Sequence, residues 1–290
     1  MTEILMQQTD LFSLIWVFVI LMFLIPVFRQ RLLEANRNKL LKAIEKKRDA
    51  RVITMIHRQE SLSLLGLPFT KYLSIEDSEQ VLRAIRLTPD DVPIDLILHT
   101  PGGLVLAATQ IANAIKKHPA EVRVLIPHYA MSGGTLVSLA ADKIVMDENA
   151  VLGPVDPQLG SMMKVYPAVS VLEAVRRKGE KKVDDETLIL ADQAQKAMKQ
   201  LHILVCSLLD GRMAREDIDN ICLSLTEGRW THDYPIKVED LRRLKLNVET
   251  GLPTEIYQLM DLYPQPMRVT PTVEFIHEPY KKHPPKKTNQ

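Results

Sequence analysis

Two hundred and ninety residues with 46% hydrophobic and 25% charged side chains exclude a mostly disordered or collagen-like chain, and two cysteines exclude a disulfide scaffold. The net charge of +1 is a cancellation: residues 1–28 carry −2, 29–51 carry +6, 52–280 carry −7 and 281–290 carry +4. An acidic body between two basic flanks is a poor grip for phosphates, so no nucleic-acid partner is expected.

The first predicted element is an uncharged run, Leu11 to Phe28, which at 1.5 Å per residue spans about 27 Å, close to the thickness of a bilayer core. Acidic Glu3 and Asp10 precede it and Arg29 and Arg31 follow, the reverse of a cleaved signal peptide, so a retained single-pass transmembrane helix is expected. Nine Lys and Arg residues lie between Arg29 and Arg51 and none before the run. The positive-inside rule then places the body on the cytoplasmic face of the cell membrane. Residues 29–50, with Leu33, Leu40 and Ile44 near one face, read as a basic juxtamembrane helix, either a solvated stalk or a segment lying along anionic lipid.

From Arg51 strands and helices alternate. RVITMIHRQE reads as a strand, and DSEQVLRAIRL as a helix capped by Asp77 or Ser78. VPIDLILHT is a buried strand and GLVLAATQIANAIKKH a helix, followed by strand VRVLIPH, helix GGTLVSLAA and strand DKIVMD. This order predicts stacked βαβ units around a largely parallel sheet. PVDPQLGSM reads as loop, and helices are expected over 168–177, 186–209, 218–225 and 238–244. Residues 264–290 read as a Pro- and Lys-rich tail. The expected organisation is an N-terminal segment (1–10), a transmembrane helix (11–28), a basic helix (29–50), one catalytic domain (51–263) and the tail. Cys206 and Cys222 sit among apolar residues and are expected to be reduced core thiols.

Two turns deliver a strand into a glycine pair at a helix start: His99-Thr-Pro-Gly-Gly-Leu104 and His128-Tyr-Ala-Met-Ser-Gly-Gly-Thr135. Helix starts present unpaired N–H groups and a positive dipole end. Side by side at the carboxyl ends of parallel strands, one N–H from each can converge on a single oxygen, as an oxyanion hole requires, with Ser132 at the point of attack. Each turn alone has a plainer reading, a tight turn or a serine N-cap. No dinucleotide or Walker fingerprint, no HExxH and no zinc-ligand spacing is present, so no metal or cofactor is expected. Position 130 is alanine where the α/β-hydrolase elbow has glycine.

The stretches EDSEQVLRAIR, IDLILHTPGG, PHYAMSGGT, KIVMDENAVLGPVDPQLG and GRWTHDYPI together resemble the Clp-fold serine peptidases. They are most similar to the membrane-anchored serine dehydrogenase proteinase group related to signal peptide peptidase A, over roughly residues 50 to 260. The resemblance implies an α/β spiral of ββα units like that of ClpP and the crotonases, Ser132 as nucleophile, Gly102 and Gly133 N–H groups as oxyanion hole, and a homo-oligomer acting on peptide or protein substrates. The Clp histidine is missing: its neighbourhood reads GPVDPQ, with Asp156. The relatives that use a lysine point to helix ADQAQKAMKQL, with Lys196 the first choice of base and Lys199 the second. Such a lysine must be buried to act near neutral pH. Lys196 also lies four residues after Asp192, the spacing of an exposed ion pair. His232, beside Asp233, is the competing base, and His99 and His128 are candidates to line the cleft. Two other functions share this fold, a crotonase-like acyl-CoA enzyme and a catalytically idle membrane scaffold.

Overall fold

The structure is a computed structural model that describes residues 2–58, 72–161 and 164–263, the side chains of 2–15, 17 and 21 excepted. The expected tail, 264–290, lies outside the described residues. The chain opens with α1 (Thr2–Arg48), β1 (Arg51–Ile56), α2 (Ile75–Arg86), β2 (Ile94–His99), α3 (Val105–Lys117) and β3 (Val122–Ile126). It continues through β4 (Tyr129–Ala130), α4 (Gly133–Leu139), β5 (Lys143–Met146) and β6 (Val151–Leu152). The remaining elements are β7 (Gln158–Ser161), β8 (Lys164–Pro167), α5 (Ala168–Lys178), α6 (Asp185–Leu209), α7 (Arg215–Thr226), α8 (Val238–Arg243), β9 (Val248–Thr250) and α9 (Thr254–Asp261).

The main sheet is parallel throughout, in the order β1-β2-β3-β5-β9. Its side chains alternate between two cores, as the two-residue period of a strand demands. Leu96 and Leu98 of β2 join Ile53, Met55, Val124 and Ile126 in the larger cluster, which also takes Ile111 of α3 and Val137 of α4. Ile97 turns the other way and meets Val52, Leu125, Val145, Ile256, Leu259 and Ile44. Each such aliphatic side chain contributes about 1.5–3 kcal/mol when fully buried. With a core on both faces, β2 (IDLILH) is the buried, largely apolar run that parallel sheets show, with Asp95 and His99 its polar positions.

Four expectations are corrected here. The basic segment is not a free stalk: α1 is one helix of 47 residues, and its last turns dock on the sheet through Ile44, with Leu40 and Leu41 beside it. Arg48 pairs with buried Asp95, which Arg123 also holds at 2.6 Å. The α2 cap is Ser74, with Asp77 closing the reciprocal capping box three residues on. Cys206 of α6 and Cys222 of α7 are not reduced thiols but a disulfide, at a Cα separation of 5.7 Å that suits one. The stretch read as loop after Gly153 carries an antiparallel hairpin, β7 with β8. The expected span, Leu11 to Phe28, falls within α1 and partly outside the described side chains. Among the described residues no helix is long and apolar enough to cross a membrane. Trp16, Phe18, Phe23 and Phe28 are all more than half exposed.

Candidate active site

The two glycine turns do lie side by side. Strands β2 and β4 continue into them as parallel neighbours, Thr100 bridging Ala130, and Met131 N–H donates to Thr100 O at 2.9 Å. Ser132 occupies the N-cap of α4 but makes no side-chain cap hydrogen bond, so the plain capping reading does not account for it. Its backbone sits at φ 51°, ψ −112°, a left-handed conformation that costs a non-glycine residue about 1–3 kcal/mol. The positive φ and the uncapped hydroxyl place Ser132 on a sharp strand-to-helix turn with its side chain free of a cap role. Gly102, at φ +101°, passes so close that a Cβ there would stand 2.7 Å from the Ser132 Cβ and 2.9 Å from Met131 O. That approach is why glycine is required.

Backbone donors identify which N–H groups are available. Gly102 N–H, implied as a hole donor, is already committed to Thr100 Oγ1 at 3.1 Å. Leu104 N–H donates to Leu73 O at 2.9 Å, Thr100 N–H to Tyr129 O at 3.2 Å, and Pro101 has no N–H. The donor of that turn left without a partner among the described residues is Gly103. A Cβ on Gly133 would lie 3.6 Å from the Gly103 nitrogen, and Gly133 N–H, at the first position of α4, is unpartnered in the same sense. Gly103 and Gly133 are thus neighbouring N–H groups of the two turns without a partner among the described residues, whereas the N–H of the expected Gly102 is engaged by Thr100. The hydroxyl of buried Thr135 joins this turn to the next loop: it accepts from Gly153 N–H at 3.1 Å and lies 2.8 Å from Gly153 O.

The lysines stand elsewhere. Lys196 is solvated and paired with Asp192 at 2.6 Å, the two side chains 68% and 58% exposed, and Lys199 is exposed on the same helix. The burial that a lysine base requires is not met at either position. His232 is different. Its Nδ1 lies 2.7 Å from Oδ1 of Asp156, a carboxylate only 2% exposed, and Gln158 Nε2 donates to the other oxygen at 2.5 Å. Its partner is thus Asp156, not the adjacent Asp233. Strand register explains the meeting. Leu152 bridges Ile236 antiparallel, so the residue four beyond Leu152 and the residue four before Ile236 come opposite each other. Because β6 is also the parallel partner of β4, with Ala130 beside Leu152, Asp156 leaves the same strand ends as Ser132.

His99 and His128 stack with ring centroids 5.7 Å apart but differ in burial. His128 is exposed, whereas His99 is 1% exposed with its Nδ1 unpartnered among the described residues and its ring tilted against Tyr129. Burial, with Arg58, His128 and His57 nearby, pushes its pKa down to about 4. By strand alternation it shares the Ile97 face, opposite to Thr100 and the serine turn. Among the described residues no group of three or more potential ligands is arranged to hold a metal ion.

Residues 3–290 match the family model described as ClpP-like SDH-type serine proteinase. The chain belongs to that family. Two relatives of Methanocaldococcus jannaschii, the uncharacterized proteins MJ0137 and MJ1495, are 58% and 52% identical over 93% and 95% of this chain, and each alignment covers 93% of the relative. Among solved structures, ClpP1 from Listeria monocytogenes is similar at 16% identity and a TM-score of 0.45, over 74% of this chain and 99% of that one. A mutant of the 1510-N membrane-bound stomatin-specific protease is similar at 18% and 0.44, over 66% and 79%. The family match carries the assignment of an α/β ClpP-like fold with a parallel sheet. The side-by-side glycine turns were legible in the sequence, while Thr100, Gly103, Thr135 and the Asp156–His232 pair were not singled out together. The signal for the last pair was present in THD and PVD, but only the register of β6 against Ile236 brings them together.

Proposed function

We propose that this SDH-type proteinase is a serine endopeptidase that cleaves peptide bonds through an acyl-enzyme on Ser132. The observation that carries the reading is the strained, uncapped Ser132 beside two unpartnered backbone N–H groups. In this reading His232 is the base. Asp156 accepts from Nδ1–H, fixing the tautomer that leaves Nε2 able to take the serine proton and return it to the leaving amine. Gly103 and Gly133 hold the oxyanion of the tetrahedral intermediate, each donor supporting about 10²–10³ in rate. A crotonase-like enzyme needs the donors but not the nucleophile or its base, and an idle scaffold needs neither.

The same proposal places residues 11–28 in the bilayer as an anchor, with the body on the cytoplasmic side. The large apolar side chains exposed from Trp16 to Phe28 support it, as does the basic charge that follows. Self-association is supported by Val165 and Tyr166 of β8 and by Ile189 and Ile203 of α6, all large and exposed. The test is labelling of the detergent-solubilised full chain with a fluorophosphonate probe. Ser132→Ala and His232→Ala are expected to abolish labelling, and Lys196→Ala to leave it within twofold of wild type. Retention in His232→Ala with loss in Lys196→Ala would return the base to the lysine.

A further inference from the structure

Thr100 Oγ1, which accepts the Gly102 N–H at 3.1 Å, is itself tethered. It is fully buried and lies 2.8 Å from Nδ1 of His57, a side chain 5% exposed. The other ring nitrogen, Nε2, lies 3.3 Å from Oδ2 of Asp77. The direction of the bond to Asp77 is fixed by chemistry. An ionised carboxylate only accepts, so His57 Nε2 carries the hydrogen. Thr100 Oγ1 accepts Gly102 N–H, shares a hydrogen bond with His57 Nδ1 and also lies 3.5 Å from Gly102 O. A continuous hydrogen-bonded chain thus runs from Gly102 through Thr100 and His57 to Asp77.

Asp77 closes a second connection. Its Oδ2 also accepts from Ser74 N–H and Ser74 Oγ, both at 2.7 Å. Burial alone raises the Asp77 pKa, but these Ser74 bonds and His57 outweigh it and hold the carboxyl below the usual range. Ser74 follows Leu73, whose N–H donates to Gly102 O at 2.8 Å and whose carbonyl accepts Leu104 N–H at 2.9 Å. Both backbone polar groups of Gly102 are thereby held, its carbonyl by Leu73 just before α2 and its N–H by Thr100. Two consecutive glycines have wide backbone freedom, and a hydrogen-bond donor misaimed by a rotated peptide stabilises no oxyanion.

We propose that Asp77, His57 and Thr100 are positioning residues of the proteinase: they hold the Gly102 amide turned away from Ser132, so that Gly103 N–H is the group presented to the oxyanion. The proposal rests on the serine-peptidase reading for its catalytic consequence and on geometry alone for the tether. None of the three side chains touches the reacting atoms.

The experiment uses the full chain in detergent and reads three quantities: the second-order rate of fluorophosphonate labelling, the melting temperature, and hydrogen–deuterium exchange of the segment spanning the Pro101-Gly-Gly turn. Thr100→Val keeps the volume and removes the hydroxyl. It is expected to slow labelling roughly ten- to a hundredfold and to speed exchange at Gly102 by about tenfold or more, the signature of a lost tether. Thr100→Ser, which restores the hydroxyl, is expected within about threefold of wild type on both readouts. His57→Phe, which keeps a ring without its nitrogens, is expected to move both in the same direction as Thr100→Val. Wild-type labelling in Thr100→Val, or an equal loss in Thr100→Ser and Thr100→Val, would overturn the proposal. If Thr100→Val does not fold, His57→Phe decides, and an unchanged Gly102 exchange rate in it would overturn the tether. A wild-type chain that never labels would remove the peptidase reading, while the exchange readout would still decide whether the tether exists.

Discussion

At the scale of single residues the site rests on backbone positions that side-chain reasoning reads poorly. The sequence placed Ser132 before paired glycines at a helix start, and the structure shows that its side chain makes no cap hydrogen bond. That Gly102 N–H is engaged while Gly103 N–H is not was not visible, because it depends on which N–H the Thr100 hydroxyl and Leu73 carbonyl consume. Placing alanine at Gly102 is expected to slow fluorophosphonate labelling about a hundredfold or more, since a Cβ would press on the Ser132 Cβ and Met131 O. Equal labelling rates would refute the close approach. His99 predicts a pH effect on stability rather than on catalysis. Its folded pKa, about 4, lies below the unfolded value near 6.5, so between the two the unfolded chain binds the extra proton. Stability is therefore full above pH of about 6.5 and falls as pH drops toward 4, by up to about 3 kcal/mol. Urea denaturation of wild type and His99→Gln across that window is expected to show the wild-type slope flattened in the variant.

The helices and strands of the sheet were legible because their periods are clean: β2 is buried at all six positions, and α2 and α3 each show one apolar stripe. What escaped were short pairings whose register is set by distant chain, such as β4 with β6 and the Leu152–Ile236 bridge. The Asp156–His232 pair hangs on that bridge, which is why His232 was read beside its sequence neighbour Asp233 instead. Likewise, α1 carries both a candidate anchor and a docking face, and only packing separates them. Ile44 is 2% exposed against α9 and the sheet. Ile44→Ala is expected to cost about 2–4 kcal/mol in thermal or denaturant unfolding, and exposed Lys42→Ala less than about 0.5 kcal/mol. A neutral Ile44→Ala would mean that the end of α1 is the free stalk its charge suggested.

For the whole molecule, the opening charge partition acquires a physical arrangement. The +6 segment is in large part the docked end of α1, where Arg48 meets Asp95, and the −7 segment holds the rest of the parallel-sheet domain among the described residues. If residues 11–28 anchor that domain, the full chain is expected to stay with membranes through alkaline carbonate extraction. Release into the supernatant would count against the anchor without touching the active site. The central claim is that Ser132 is the nucleophile. It is tested most directly by tandem mass spectrometry of the full chain after fluorophosphonate treatment: the account predicts a single phosphonyl adduct on Ser132, and an adduct on another serine, with Ser132 unmodified, would contradict it.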